Sequence, residues 1–138
     1  TALNNVLKPD GRLFIHIFCH KKLTYFYEMK NSFDWMTKYF FQGGIMPSKD
    51  IFKYFENDLE IINQWDINGN HYSKTLKAWL NNHYKNKKKI LDIFERHYDE
   101  PKIWFNRWRI FFLSCEAFFA LNNGKEYFVS HYLFKKCD

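Results

Sequence analysis

The sequence predicts an α/β fold with about three strands and a block of helices inserted before the last strand. The first observation is a nearly continuous apolar and β-branched run at 12–18, and the second is apolar/polar alternation at 59–67. The third is a change to helical periodicity over 73–121, followed by renewed alternation at 126–136. We therefore divide the chain into strands and connecting helices over 1–72, a helical block over 73–122 and a final strand over 123–138.

The composition supports one compact domain, or part of one. The chain has 138 residues, of which 46% are hydrophobic and 22% aromatic, so it carries more ring surface than a disordered segment can bury. Its apolar runs are interrupted by charges and its mean hydropathy is −0.53, which predicts no transmembrane helix. The three cysteines have wide, unrelated spacings that suit a reducing intracellular compartment, the cytoplasm or an organelle.

The net charge of +6 favours acidic partners without naming one. The only dense basic run is at 85–89, and no arginine-rich stripe is present, so we expect no nucleic-acid partner. The first residue is not methionine and no signal-peptide pattern follows it, and we expect that Thr1 is not the natural start of translation.

The first strand follows a turn. Residues 3–11 are predicted to end a helix at Lys8-Pro9-Asp10-Gly11, where proline fixes φ and Gly11 is expected to adopt the left-handed conformation. The run at 12–18 is typical of a strand covered on both faces within a parallel sheet. Only His16 interrupts its apolar character.

Two short helices and a second strand are predicted next. A helix over 33–41 ends at Gln42-Gly43-Gly44, and Ser48 is expected to cap a helix over 49–57. That helix is expected to pack through three apolar residues: Ile51, Phe52 and Phe55. The strand at 59–67 is predicted to close at Asn68-Gly69-Asn70.

The helical block consists of three predicted helices. Two amphipathic stripes flank the basic run, the first at Leu76, Trp79, Leu80 and Tyr84 and the second at Ile90, Ile93, Phe94 and Tyr98. The third helix, over 102–121, is apolar nearly all round from Ile110, which predicts contacts on two sides. It is expected to end in a left-handed turn at Asn122-Asn123-Gly124, before a final strand with rings on both faces.

The usual motifs of a self-sufficient active site are absent. The sequence contains no G-x-G-x-x-G, G-x-x-x-x-G-K-[ST], H-E-x-x-H or C-x-x-C. His16, Cys19 and His20 are close in sequence, but alternation along a strand directs His16 and Cys19 to opposite faces, so we predict no metal site.

His16 and Tyr72 are candidate functional residues. A histidine on a buried strand is either a satisfied core residue or exposed to a cavity. Tyr72 follows the turn that closes the second strand, so its phenol either packs or donates into a pocket at the carboxyl edge of the sheet.

Several segments then carry a family resemblance, in order along nearly the whole chain. They are Leu7-Lys8-Pro9-Asp10-Gly11-Arg12-Leu13-Phe14-Ile15-His16, the run from Trp35 to Ser48, Asn68-Gly69-Asn70-His71-Tyr72-Ser73 with Trp79, Trp104-Phe105 with Trp108-Arg109 and Phe111-Phe112, Gly124-Lys125-Glu126, and His131-Tyr132-Leu133-Phe134-Lys135-Lys136. Together they resemble the C-terminal half of the cyclopropane fatty-acid synthase and coclaurine N-methyltransferase family. The spellings Phe-Phe-Gln-Gly-Gly, Asn-Gly-Asn-His-Tyr and Trp-Arg-Ile-Phe-Phe are closer to the N-methyltransferase branch.

The resemblance implies a Rossmann-like class I methyltransferase sheet that uses S-adenosylmethionine. It places His16, the backbone of Phe18 and Tyr72 where the synthases hold a bicarbonate ion that acts as base. Phe18 stands where an aliphatic residue is usual, a change that a backbone contact tolerates. The implied wall on the substrate side comprises Phe18, Tyr39, Phe40, Trp104, Trp108 and Phe112, whose rings suit either an amine or a lipid acyl chain.

The family's glycine-rich cofactor loop, its ribose-binding acid and its Phe-Glu-His segment all precede the equivalent of Leu3, so no cofactor-binding residue is assigned here. The first hypothesis is therefore the substrate-side part of a methyltransferase, joined to or associated with an N-terminal half. The second is a catalytically inactive, methyltransferase-derived structural subunit whose partner covers the open sheet edge. A third interpretation, a lipid- or phosphate-binding module using 85–89, is weaker because such runs are usually solvated helix ends.

Overall fold

The computed structural model describes residues 5–31, 34–55 and 58–137. Its strands are β1 (Arg12–His20), β2 (Tyr25–Phe26), β3 (Ile45–Met46), β4 (Leu59–Ile67) and β5 (Tyr127–Lys136). Its α-helices are α1 (Gly69–Lys85), α2 (Lys87–Phe94) and α3 (Pro101–Gly124). A π-helical turn covers Thr37–Phe41 and a 3-10 turn covers Ile51–Tyr54.

The main sheet has the order β1-β5-β4, and both of its pairings are antiparallel. The predicted placement of β1 within a parallel sheet is therefore wrong for the described residues. The reason is that β5, the last strand in sequence, pairs with β1 from Arg12 opposite Lys135 to His20 opposite Tyr127. The prediction that this strand is covered on both faces is also wrong for the described residues, because Arg12, Phe14 and His16 are exposed. An apolar run does not specify the direction of the neighbouring strand.

Each face of the sheet is covered by different elements. On one face α1 and α3 pack together, and Leu76, Cys115 and Phe119 form a buried cluster. On the other face the ring of Phe52 lies 4.8 Å from that of Tyr132. The Tyr132 hydroxyl donates to the carbonyl of Lys49 at 2.7 Å, which fixes the segment before the 3-10 turn against the sheet.

A chain of polar side chains crosses the three strands, from the exposed Asp66 to the buried Ser130 and Cys19. The Ser130 hydroxyl donates to Asp66 at 2.6 Å, and the Cys19 thiol lies 3.3 Å from the same hydroxyl oxygen. Because Ser130 gives its proton to the carboxylate, Cys19 acts as donor to Ser130. Burial raises the pKa of Cys19 to about 11, so the thiol keeps the proton that this bond needs.

Several predicted boundaries move. Gly11 does not adopt the predicted left-handed conformation, and its N–H closes the turn by donating to the Lys8 carbonyl at 2.9 Å. The helix at 33–41 is described only from Trp35, and Phe33 lies outside the described residues. Ser48 caps no helix: it forms a bridge with His20, and the helical residues of the following segment are Ile51–Tyr54. Residues 56 and 57 of that predicted helix are also outside the described ranges.

The helical block is close to its prediction. α1 begins at Gly69 rather than Ser73, because the Asn68 side chain accepts a hydrogen bond from the Asn70 N–H at 2.9 Å and caps the helix. The predicted left-handed turn is confirmed within the last residues of the α3 range, where the helical conformation is interrupted from Leu121 and φ is 52° at Asn122, 55° at Asn123 and 73° at Gly124. No helix in the described part of the chain is long and apolar enough to cross a membrane.

His83 should make the stability of this fold depend on pH. Its ring stacks on Phe105 with centroids 3.9 Å apart, and its Nε2–H donates to the Phe105 carbonyl at 3.0 Å. Burial lowers its pKa below 6.5, so the unfolded chain binds this proton first and the free energy of unfolding should decrease as pH falls through about 6.5. Urea unfolding at a series of pH values measures this slope.

The free energy of unfolding should depend less on pH in His83→Phe, which keeps the stacked ring but removes the titrating group. His97→Gln, a change at an exposed histidine, should leave the pH dependence unchanged. An identical pH dependence in the wild type and in His83→Phe would contradict the assignment.

Candidate functional site

The main candidate site is an aromatic cavity of about 260 Å³ at the end of β1. It lies between that strand end, the π-helical turn and the facing sides of α1 and α3. Its lining residues are Phe18, Tyr25, Tyr27, Met36, Thr37, Phe41, Met46, Tyr72, Leu76, Trp79, Phe111, Cys115, Phe118, Phe119 and Tyr127. None of these is charged, so the wall offers ring faces, aliphatic surface and a few neutral polar groups.

Helical spacing explains why the helices supply most of the wall. Tyr72, Leu76 and Trp79 follow one another at i, i+4 and i+7 on α1, so they share a face. On α3, Phe111, Cys115 and Phe118 have the same spacing. The predicted contacts on two sides of α3 are not seen among the described residues: the helix packs on α1 and lines the cavity on one side, while Ile110, Leu113 and Leu121 are 42%, 45% and 46% exposed.

The polar groups of the wall are neutral at physiological pH. Burial raises the pKa of Tyr27 to about 12 and that of Cys115 to about 12. Burial also raises the pKa of Tyr72, with the nearby Cys115 adding to the shift. The pKa of Tyr25 is raised as well, chiefly by burial and then by a hydrogen bond with Tyr127. Every one of these groups keeps its proton.

Two of the residues assigned by resemblance line this cavity. Phe18 does so from the end of β1, and Tyr72 does so from the first turn of α1 rather than from a loop. The Tyr72 ring packs edge-on against Phe119 with centroids 4.5 Å apart. The two residues are distant in sequence but lie in the same wall.

Three further residues form a second aromatic layer behind the wall. Phe40 stacks on the lining residue Phe111 with centroids 4.3 Å apart, and its ring lies 5.0 Å from that of Trp108. Phe112 contacts Trp79, another lining residue, at 6.3 Å between ring centroids. Phe40, Trp108 and Phe112 therefore support the wall, and none of them is among its lining residues.

Tyr39 and Trp104 lie farther out and hold a cation. The Arg107 guanidinium is 4.0 Å from the Tyr39 ring centroid and 4.7 Å from that of Trp104. Their rings are thus already engaged in cation–π contacts. Neither residue lines the cavity.

His16 lies outside the cavity. It is exposed on β1, and its Nδ1 is 2.8 Å from Nε2 of His131, directly opposite on β5. No hydrogen bond of its Nε2 to another described residue is present. Within 5–31, 34–55 and 58–137, no group of three or more His, Cys, Asp or Glu side chains could hold a metal ion.

Sequence analysis missed the role of His20, a buried histidine near the cavity that bonds to Glu126. The His20 Nδ1 accepts N–H groups of Lys22 and Leu23, so its Nε2 carries the proton and donates to Glu126 at 3.0 Å. Glu126 also accepts from Lys21 at 2.6 Å, and this bond lowers the pKa of the carboxyl group. The network fixes the chain where it leaves β1, directly before Tyr25 and Tyr27.

Tyr25 and Tyr27 were also missed. They belong to a segment without periodicity, and β2 forms only by pairing with the distant β3. The one local signal is the cluster of rings in Tyr25-Phe26-Tyr27, which does not reveal its partner.

The family model for mycolic acid cyclopropane synthetase matches residues 1–127 of the chain. The chain belongs to this family. The resemblance identified from the sequence is thus confirmed, and the family consists of S-adenosylmethionine-dependent methyltransferases.

Individual family members agree with this assignment. The chain is 38% identical over 135 residues to (S)-coclaurine N-methyltransferase of Papaver somniferum, which covers 94% of the chain and 38% of the relative. It is 39% identical over 136 residues to the enzyme of the same name from Thalictrum flavum subsp. glaucum, with coverage of 94% and 38%. The chain therefore spans about two fifths of the length of these relatives.

Solved structures confirm the predicted fold class. A coclaurine N-methyltransferase bound to N-methylheliamine and SAH matches with a TM-score of 0.86 and 38% identity, covering 97% of this chain and 40% of that one. A cyclopropane synthase from Mycobacterium tuberculosis matches with a TM-score of 0.72 at 15% identity, covering 96% and 46%. The chain thus has the α/β fold of the C-terminal portion of a class I methyltransferase.

Proposed function

We propose that this chain forms the methyl-acceptor side of an S-adenosylmethionine-dependent methyltransferase. The observation that carries the proposal is the uncharged aromatic cavity at the end of β1, in a chain that matches two fifths of its relatives. The cavity wall has no carboxylate among the residues described, whereas the ribose hydroxyls of the cofactor need an acidic partner. The cavity therefore fits the acceptor and not the cofactor.

The acceptor proposed here is an amine, as the names of the relatives suggest. An apolar wall disfavours the charged ammonium form because no side chain in it offers a counter-charge, so the neutral amine with its lone pair binds better. That neutral form is the nucleophile. The rings of Phe18 and Tyr72 restrict the acceptor's orientation, and the cavity excludes water.

The cofactor, when bound, supplies an electrophilic methyl group on a sulfonium. The acceptor nitrogen forms a bond to the methyl carbon as the carbon–sulfur bond breaks, and the resulting ammonium then releases a proton. We assign a role in proton removal to His16 and Tyr72, with the backbone of Phe18, through a bicarbonate ion as the family resemblance implies. The free Nε2 of His16 supports this assignment, because its Nδ1 is occupied by His131.

Phe18 and Tyr72 are thus proposed to contact the acceptor directly. Phe40, Trp108 and Phe112 are proposed to act through the lining residues that they support. Tyr39 and Trp104, with Arg107 between their rings, are proposed to form the outermost part of the substrate side.

The partner that we propose is an N-terminal cofactor half, covalently joined or associated. In the described sheet β1 pairs only with β5, so most of its other edge has unpaired backbone groups. Phe14 and Trp65 are 54% and 41% exposed on the sheet, which leaves ring surface for a partner to cover.

The experiment compares the chain alone with a fusion that adds the remaining part of the Papaver somniferum enzyme. The chain alone should not bind S-adenosylmethionine in calorimetry. The fusion should transfer a labelled methyl group to dimethoxytetrahydroisoquinoline (heliamine), whose N-methylated form is bound in the coclaurine N-methyltransferase structure. In the fusion, His16→Ala should lower kcat if bicarbonate is the base. Binding of S-adenosylmethionine by the chain alone would contradict the division of labour.

The exposed sheet edge also supports a second candidate, an inactive structural subunit. On that hypothesis the chain should self-associate or join a larger assembly, and the fusion should remain inactive. Sedimentation of a stable monomer together with an active fusion would exclude it.

A further inference from the structure

The outer face of α3 carries a heptad pattern that the aromatic cavity does not use. Its residues recur at alternating intervals of three and four, which is the spacing of the a and d positions of a coiled coil. We name this face the α3 seam, and it consists of Ile103, Asn106, Ile110, Leu113, Ala117 and Ala120. All six residues are exposed, and five of them are apolar. The described residues thus leave a row of apolar side chains exposed along most of the helix.

The opposite face of α3 fixes the orientation of this seam. Phe105 stacks on His83 with ring centroids 3.9 Å apart, and Phe119 packs edge-on against Tyr72 at 4.5 Å. These contacts with α1 set the rotation of α3 about its own axis, so the seam stays on the outside. A stripe confined to a and d positions is narrower than the apolar face of a helix that packs on a sheet, and it is typical of packing on one other helix.

Two charged side chains border the seam without a partner. Arg109 and Glu116 occupy successive g positions of the heptads. The Arg109 Nε is buried and accepts no hydrogen-bond partner among the described residues, and Glu116 forms no ion pair within the same part of the chain. Seven residues place the two groups about 10 Å apart along the helix axis, too far for them to pair with each other. Both are therefore available to a second helix.

An antiparallel second copy of α3 would pair both charges. In an antiparallel coiled coil the g positions of the two helices face each other. When Ile110 of one copy lies opposite Leu113 of the other, Arg109 falls beside Glu116 of the second copy, and the two-fold axis repeats this ion pair. The same patch supplies the cation and the anion, which is the property of a contact between identical surfaces.

The remaining layers of this register also fit. Asn106 lies opposite Ala117 of the second copy, and Ile103 lies opposite Ala120, so a larger side chain meets a small one in each layer. Such pairs allow two helices to approach closely without overlap.

A parallel arrangement of two copies is disfavoured by charge. In a parallel coiled coil each g position faces the e position of the next heptad on the other helix. Lys102 would then lie beside Arg107 of the second copy, and symmetry would repeat this like-charge contact. Arg109 would face Ser114, which offers no counter-charge.

We propose that the α3 seam pairs antiparallel with the seam of a second copy and makes the chain a two-fold symmetric dimer. Ile110 and Leu113 form its centre, and Arg109 and Glu116 set its direction. The inference goes beyond the proposed function, because no residue of the seam lines the cavity or belongs to the sheet.

Sedimentation equilibrium of the full 138-residue chain gives the dissociation constant of the dimer. Arg109→Glu and Glu116→Arg each convert two ion pairs into two like-charge contacts, and each should raise that constant by about tenfold. The double variant Arg109→Glu with Glu116→Arg restores opposite charges in exchanged positions and should return the constant to within about threefold of the wild type. Lys77→Glu, a reversal at an exposed position of α1, is the matched control for Arg109→Glu and should change nothing.

An apolar variant tests the centre of the seam independently of charge. Leu113→Gln places a polar amide where Ile110 of the second copy packs, and it should raise the dissociation constant by about tenfold or more. Leu113 is 45% exposed in the single chain, so circular dichroism and thermal unfolding should show that the variant folds.

Three outcomes would overturn the dimer. The first is a wild type that remains a monomer at about 0.1 mM. The second is self-association that persists unchanged in both single charge reversals, which would place the contact elsewhere, such as the sheet edge. The third is a fusion with the N-terminal half that stays monomeric while the chain alone dimerises, which would show that this half covers the seam. Methyl transfer by the fusion is measured separately, so none of these results contradicts the proposed function.

Discussion

Gly69→Ala is expected to lower the free energy of unfolding by about 3 kcal/mol or more. A Cβ atom at this position would overlap the carbonyl oxygens of Tyr127 and Phe119, and would lie 3.2 Å from the Cα of Gly124. All three are backbone atoms, which cannot move aside as a flexible side chain can. Urea unfolding followed by circular dichroism gives the difference in free energy.

The close approach at Gly69 joins the start of α1 to the end of α3 and the start of β5. Gly43→Ala is the matched control, since a Cβ added at Gly43 would meet nothing within 4 Å, although φ there is +77°. Gly43→Ala should lower the free energy of unfolding by only about 1 kcal/mol, the strain of an alanine in the left-handed conformation. Similar losses for both variants would show that crowding at Gly69 is not the cause.

Met36→Trp is expected to weaken binding of dimethoxytetrahydroisoquinoline by about tenfold or more, with little change in stability. Met36 lines the cavity and is half-buried, so a larger, rigid indole would occupy space that the ligand needs. Calorimetry gives the affinity, and thermal unfolding of the ligand-free variant gives the stability.

Met29→Trp provides the matched control for this experiment. Met29 is 51% exposed and is not among the lining residues, so the same substitution there should leave the affinity unchanged. Unchanged affinity in Met36→Trp would mean that the ligand binds elsewhere on the molecule.

Local patterns in the sequence were sufficient for the elements with strong periodicity. The alternation at 59–67 predicted β4 at its observed bounds, Leu59–Ile67. The left-handed turn at 122–124 followed from its asparagines and glycine, because these residues tolerate positive φ at the end of a helix. Helix boundaries were predicted less accurately where a single side-chain hydrogen bond sets the first residue of the helix. Asn68 is the example, since it caps α1 by accepting from the Asn70 N–H.

The candidate site was only partly predictable. Phe18 and Tyr72 were assigned through resemblance, and both line the cavity. His16 was assigned in the same way, but its contact with His131 depends on the register of two strands distant in sequence. Tyr27 carries no local pattern, and it lines the cavity only because its segment packs against residues distant in sequence.

The sequence by itself determined the order of the three long strands and the helical block, the apolar character of α3 and the family of the chain. These properties depend on periodicity and on ordered motifs, which are local along the chain. Tertiary structure alone decided the antiparallel pairing of β5 with β1 and the assembly of the cavity from residues distant in sequence. The physical reason is that pairing direction, register and enclosure depend on contacts between residues far apart in sequence, which no local pattern specifies.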